Sequence, residues 1–214
     1  MKTITKIAAT ALMALTIGAN IAIAQNIAAP DRKSIETTVT RTPDQYQALH
    51  DRFVQGDATL TPAEVATVYY GYRHNPGFRA NAAYPALMDA FEKHDYTRAL
   101  DMARMALTGN PVSLPLLFKA YACAAASPEE SAKAKAKVYQ TRINQICDVI
   151  FHSGKGVSTY NPYYVLRESD IEPFVKNYLQ PDSVIDSSTV GNSKAVKMKF
   201  NGIPDEVILY FTTY

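Results

Sequence analysis

Residues 95–111 read DYTRALDMARMALTGNP, and their spacing of small and apolar side chains is the main evidence for the predicted fold. Small or apolar side chains recur there at the spacing of one helix face, at Ala99, Ala103, Ala106 and Leu107. Gly109-Asn110-Pro111 then supplies a helix stop. We therefore expect a helix with a closely packed seam, of the kind found in stacked antiparallel helical hairpins.

Further helices are predicted on both sides of this stretch. Thr42-Pro43 and Thr61-Pro62-Ala63-Glu64 have the pattern of helix starts, the second of them as a capping box. Ser127-Pro128-Glu129-Glu130 is predicted to be another capping box, at the start of a long helix that ends near Gly154. The predicted helical-hairpin region covers residues 42–156.

Residues 157–214 are predicted to be a C-terminal α+β portion that forms one compact domain with the helices, with a short helix at 169–179 and strands after it. Residues 195–200 alternate between apolar and basic side chains, a turn follows at 201–205, and 207–213 is apolar on both faces. Residues 184–190 are a candidate third strand. The predicted fold class is therefore mainly α, with a small C-terminal antiparallel β-sheet of two or three strands. Since an isolated hairpin is marginal in water, the sheet is expected to pack on the helices.

The N-terminus has the pattern of a secretory signal peptide. Lys2 and Lys6 precede an apolar run at 7–23, and Ala22-Ile23-Ala24 resembles a cleavage site before Gln25. We expect residues 1–24 to be removed and 25–41, which are polar, to form a flexible lead-in. The mature protein is expected to be periplasmic or secreted, and not to span a membrane after signal cleavage.

Composition argues against several function classes. The sequence has 22 basic and 20 acidic side chains, and the two lysines of the signal account for the excess. Nucleic-acid binding needs net positive surface to neutralise phosphates, so no nucleic acid is expected as a partner. No two of the four histidines have metal-ligand spacing, so neither metal nor cofactor is expected.

Motifs for catalysis are also missing from the sequence. It has no Gly-x-Ser-x-Gly elbow. Ser153-Gly154-Lys155-Gly156 has Gly where a phosphate loop requires Ser or Thr, so we interpret it as a helix end and turn. Cys123 and Cys147 are predicted to be two separately buried thiols, because hairpin geometry puts them about 6 and 30 Å from the turn at 126–128.

One constellation suggests a ligand site. Tyr70, Arg73 and His74 follow one another on the predicted second helix, with Tyr70 and Arg73 on one face. An aromatic ring beside a guanidinium can stack a sugar ring or hold a carboxylate. The alternative is that Tyr70 fills a helix seam.

Two family resemblances follow from these motifs. Residues 95–111 resemble the second helix of a tetratricopeptide repeat, although Leu87 stands in the preceding helix where that repeat usually has Gly. Most of the chain is similar to a family of exported Bacteroidetes proteins known only as a domain of unknown function. The motifs that carry this second resemblance are Phe53-x-x-Gly-Asp, Leu60-Thr61-x-x-Glu64, Tyr69-Tyr70-Gly71, Asp95-Tyr96, Ala99-Leu100, Ser153-Gly154-Lys155-Gly156 and Leu209-Tyr210-Phe211. The resemblance implies export and a shared fold, and no activity.

Three functions fit these expectations. The leading hypothesis is a non-catalytic exported binding or scaffolding module for a peptide, a protein or a glycan in the cell envelope, because stacked helical hairpins leave a concave surface. The first alternative is an envelope hydrolase that acts on glycan or peptide. The second is a structural subunit that pairs with another chain through its C-terminal hairpin.

Overall fold

A computed structural model describes residues 29–80 and 83–214, so the predicted signal peptide lies outside the described residues. The helices are Arg32–Arg41 (α1), Pro43–Val54 (α2), Pro62–Gly71 (α3), Pro85–Glu92 (α4), Tyr96–Gly109 (α5), Leu114–Ala126 (α6) and Glu130–His152 (α7). A 3₁₀ turn, Tyr72–His74, continues α3. A composite helical segment at 168–179 joins Glu168–Asp170, Ile171–Pro173 and Phe174–Leu179. The strands are Tyr163–Val165 (β1), Ser183–Val190 (β2), Ser193–Lys199 (β3) and Val207–Thr213 (β4).

The predicted mainly α character is confirmed. Consecutive helices from α4 to α7 pack on one another, and Ala99 and Ala103 of the predicted seam are fully buried. These small side chains let the α5 backbone approach its neighbours closely, so the seam fills without voids. Asp95 begins α5 as its N-cap, accepting a hydrogen bond from the Arg98 N–H.

Helix starts follow the proline signals, with one exception. Thr61 and Glu64 form the predicted capping box, and proline occupies the first position of α2, α3 and α4 and the second position of α6. The capping box predicted at Ser127 is wrong, because α7 begins only at Glu130. The Ser127 hydroxyl instead accepts from the Glu129 N–H at 3.2 Å, within the turn before the helix.

The flexible lead-in predicted for residues 25–41 is wrong for Arg32–Arg41, which form α1, while residues 25–28 lie outside the described residues. Asp31 caps this helix, and Ile35 is buried. A Cβ built on Gly71 would lie only 2.8 Å from Val39 Cγ2, so the glycine in α3 makes room for α1. The lead-in prediction failed because α1 is polar on most sides, and tertiary packing of one narrow stripe stabilises it.

The sheet also differs from the prediction. It has four strands in the order β1-β4-β3-β2, and it is mixed. The predicted antiparallel pair is present as β3 and β4, and the candidate third strand is β2. The added strand, β1, runs parallel to β4, with Tyr163 opposite Phe211. A three-residue strand with a partner far along the chain has no local sequence signal, which is why the prediction stopped at antiparallel pairs.

The two ends of the sheet have different surroundings. Tyr163 of β1 and Phe211 of β4 lie in an aromatic cluster with Phe174 of the 168–179 segment, with ring centroids 5.7–6.0 Å apart. By contrast, every residue of β2 is exposed. The sheet therefore extends past the helices at the β2 edge, and this overhang shapes the site described next.

Candidate functional site

A cleft of about 1500 Å³ lies under the overhanging edge of the sheet. The first wall comprises residues of α4 and α6, and we call it the floor. The second wall is the 168–179 segment, and the third is the β2–β3 hairpin. We call this space the overhang cleft. No local sequence feature marks it, because its three walls come from distant parts of the chain.

The floor of the overhang cleft is apolar. Leu87, Met88 and Phe91 of α4 all line the open space, while Ala90 of the same helix is buried. Met88 is 41% exposed. A helix with an apolar stripe wider than its neighbours cover leaves such side chains for a ligand or a partner.

The sheet wall is polar at its edge and apolar towards the interior. Val184 lies opposite Met198, and Ser187 lies opposite Val196, so these side chains share the face towards the cleft. The register shifts by one residue at Ile185, a β-bulge that preserves this arrangement along β2. The outer edge of β2 has no strand beside it among the described residues.

Most charged groups in the cleft are paired. Lys176 Nζ lies 2.7 Å from Glu172 Oε1, and Lys194 Nζ lies 3.3 Å from Glu168 Oε1. Asp182 stands exposed at the rim.

Lys119 of α6 differs from the other two lysines. It is half-buried, and its Nζ lies 3.8 Å from the centroid of the Phe91 ring. Burial lowers the pKa of the Lys119 ammonium, while Glu92 and Glu172 oppose that effect from a distance. Within the described ranges, no carboxylate oxygen lies within 4.0 Å of Lys119 Nζ, the longest distance that counts as an ion pair.

The predicted site at Tyr70, Arg73 and His74 is not assembled. Tyr70 is only 1% exposed, and the ring of Tyr214 lies over it at a centroid distance of 4.6 Å. Arg73 and His74 are exposed on the 3₁₀ turn, and none of the three lines the overhang cleft. A sugar ring cannot stack on a buried tyrosine, so the seam interpretation of Tyr70 replaces the site interpretation.

Comparison with known families places the chain. The family model described as a domain of unknown function (DUF4919) matches residues 33–209, most of the chain. The protein belongs to this family. No curated protein and no solved structure matches the sequence of this chain.

In this DUF4919 protein, two of the motifs behind the predicted family resemblance meet in the interior. The Tyr70 hydroxyl donates to the Tyr164 carbonyl oxygen at 2.9 Å, and the Tyr164 N–H donates to the Ser153 hydroxyl at 2.8 Å. A Cβ built on Gly154 would overlap the carbonyl of Pro162. These two motifs therefore hold β1 against the helices by hydrogen bonds to Tyr164, so their role is structural.

A buried carboxylate was missed by sequence reasoning. Asp170 is 0% exposed, and it accepts hydrogen bonds from the Tyr69 hydroxyl at 2.8 Å and the Leu114 N–H at 3.2 Å. Burial raises the pKa of the Asp170 carboxyl to about 6, although nearby Arg167 acts in the opposite direction. The group is closed off from the cleft, so we assign it to stability.

The described residues contain neither a metal-binding cluster nor a helix able to span a membrane. Over residues 29–80 and 83–214, no group of three or more His, Cys, Asp or Glu side chains is placed to hold a metal ion. In the same part of the chain, no helix has the length and apolarity that crossing a membrane requires. Cys123 and Cys147 are free and buried, as predicted.

Proposed function

We propose that this protein is a non-catalytic exported binding module of the cell envelope, and that its overhang cleft holds an extended polypeptide segment. The observation that carries the proposal is the open cleft of about 1500 Å³ beside a strand edge without a neighbour. A segment that added itself to β2 would form backbone hydrogen bonds with that edge. Its alternate side chains would then reach the apolar floor.

The composition of β2 supports this binding mode. The strand reads SVIDSSTV, and it carries neither the proline nor the lysine that often protects a free edge. Its protective features are the bulge at Ile185 and Asp186, whose Oδ1 accepts from the Ser187 N–H at 2.8 Å. The rest of the edge stays open to a partner.

The binding site differs from the one that a tetratricopeptide-like array suggests. Such an array binds on the concave side of its helices. Here the helices contribute only the floor, and the sheet contributes the edge that would recognise a backbone. Export rests on the pattern of residues 1–24 alone, and N-terminal sequencing of the protein recovered from an envelope fraction would test it.

The first experiment is selection of a random peptide library displayed on phage against the purified protein, followed by affinity measurement of the enriched peptides. We expect Met88→Lys to abolish binding, because it places a charge on the apolar floor. Met105→Lys is the matched control, since Met105 is 75% exposed on α5 and lies outside the cleft. Equal binding by both variants would place the peptide elsewhere.

Backbone pairing with β2 has a separate test. Enriched peptides are resynthesised with N-methyl groups at alternate residues, in the two possible registers. We expect one register to lose binding and the other to keep it, because alternate N–H groups of an added strand point towards β2. Binding that survives both sets of N-methyl groups would refute strand addition.

The structural-subunit alternative keeps one supporting observation, the same free edge of β2. The predicted C-terminal hairpin, β3 and β4, cannot pair outwards because β2 and β1 occupy its two sides. Two copies would instead join through β2. Size-exclusion chromatography with light scattering separates the cases, since a strict monomer removes this alternative.

The hydrolase alternative has no such support. Three carboxylates are among the described lining residues; those of Glu168 and Glu172 are ion-paired, which leaves that of Asp182 at the rim without a second free carboxylate. The same lining residues include neither His nor Cys.

A further inference from the structure

We infer that Lys119 binds a carboxylate side chain of the segment in the overhang cleft, so that the module selects acidic extended peptides. The inference rests on the proposed function, because it names the chemistry of the ligand in the same cleft. It concerns one contact, between the Lys119 ammonium and an Asp or Glu of the ligand.

Lys119 differs from the other lysines of the cleft in its charge pairing. Three lysines line the cleft, and Lys176 and Lys194 each lie within ion-pair distance of a glutamate. Within the part of the chain that the structure describes, Lys119 has no such partner. The bare cleft therefore presents one ammonium ready for an external anion.

The position of Lys119 also favours an external anion. Lys119 lies on the floor beside Phe91, half removed from water. A partly desolvated ammonium gains more from a charge-assisted hydrogen bond than an exposed one does. The Phe91 ring compensates only in part, since a cation–π contact is weaker than a full ion pair. The lowered pKa of Lys119 is consistent with that unmet charge.

The lining of the cleft favours a carboxylate over a phosphate as the bound anion. Phosphate groups are usually held by arginine clusters or several backbone N–H groups, and the described lining of the cleft contains no arginine. A single ammonium surrounded by apolar side chains matches a single carboxylate better. Since the β2 edge would run the bound chain through the cleft, we expect an Asp or Glu side chain and not a chain terminus.

The experiment repeats the peptide selection on four proteins: the wild type, Lys119→Met, Lys119→Arg and the double variant Lys194→Met/Glu168→Gln. Met keeps most of the lysine stem, so the packing around it is retained. The double variant is the matched control, because it removes a cleft lysine together with its ion-pair partner and leaves no carboxylate unpaired. Thermal unfolding of all four proteins shows whether each variant is folded.

We expect wild-type peptides to share one acidic residue at a fixed position. That enrichment should vanish with Lys119→Met and persist with Lys119→Arg and with the Lys194→Met/Glu168→Gln control. In direct titrations, changing the acid of an enriched peptide to its amide should weaken wild-type binding about 10- to 100-fold. The same change should leave binding to Lys119→Met nearly unaltered.

The outcomes separate the two proposals. Peptides that bind through Met88 yet show no acidic preference, or keep that preference with Lys119→Met, overturn the role of Lys119 and leave the cleft as a binding site. If no peptide is enriched on the wild type at all, the proposed function fails and the role of Lys119 fails with it.

Discussion

The buried carboxylate of Asp170 makes a sharp prediction about stability and pH. Its pKa is raised in the folded protein from the ordinary 3.8 to about 6, chiefly because the side chain is fully buried. The folded state therefore binds this proton more tightly than the unfolded state does. Stability from this group is greatest below about pH 4 and is lost as the pH rises through about 6.

The size of the effect follows from the two pKa values. A difference of about two pH units, at about 1.4 kcal/mol per unit, amounts to about 3 kcal/mol of unfolding free energy. For a domain of this size, the loss corresponds to a fall of about 6–12 °C in Tm. The assay is thermal unfolding of the purified protein by circular dichroism, at intervals from pH 4 to pH 7.

Asp170→Asn is the decisive variant. The amide cannot ionise, so the difference between its Tm and that of the wild type should change by about that amount across this range. Taking the difference removes the contributions of all other titrating groups, including Asp57, whose pKa is lowered by hydrogen bonds from Thr59 and Arg52. Parallel curves for the two proteins would refute the argument from burial.

Tyr69→Phe gives a second check on the same carboxyl. The Tyr69 hydroxyl donates to Asp170 and so lowers its pKa against the larger effect of burial. Removing that donor should move the pH-dependent loss of stability to higher pH. A shift to lower pH would contradict the assigned hydrogen bond.

Three further predictions concern the interior. Gly154→Ala should lower the free energy of unfolding in urea by about 1–3 kcal/mol or more, because backbone atoms occupy the space of the new Cβ. Gly109→Ala, at an open helical position, should instead stabilise by up to about 1 kcal/mol, and equal effects would contradict the packing. Cys123 and Cys147 should resist a thiol reagent in the native protein and react in urea, since burial raises the pKa of both thiols, that of Cys123 to about 11; fast native labelling would refute this. Tyr70→Phe should cost about 1–2 kcal/mol by stranding a buried acceptor, yet leave peptide affinity unchanged; lost affinity in a folded variant would restore Tyr70 to the binding site.

Local patterns predicted the helices well and the sheet in part. The Ala99–Ala103 seam, the Thr61 capping box and the pairing of β3 with β4 all depend on residues close in sequence, and all are present. The parallel pairing of β1 with β4 was missed, because its partner lies beyond two intervening strands. Helix α1 was missed because it owes its stability to the surface on which it packs.

Tyr70 shows where the site prediction failed. Tyr70 and Arg73 were predicted to share one helix face, on which an aromatic ring beside a guanidinium could hold a ligand. Yet α3 is apolar on several faces, and Tyr69, Tyr70 and Tyr72 are all buried. A helix that is hydrophobic all round is usually buried all round, and that signal was available in residues 62–72.

Caps, helical seams and strand alternation depend on neighbours along the chain, so the local elements could be predicted from the amino-acid pattern. Which surfaces stay uncovered depends instead on the packing of distant segments. The overhang of β2, the opening above Met88 and the lack of an ion-pair partner for Lys119 within residues 29–80 and 83–214 depend on how distant segments meet. Which charge lacks a partner is a property of contacts in space, and spacing in the sequence does not record it.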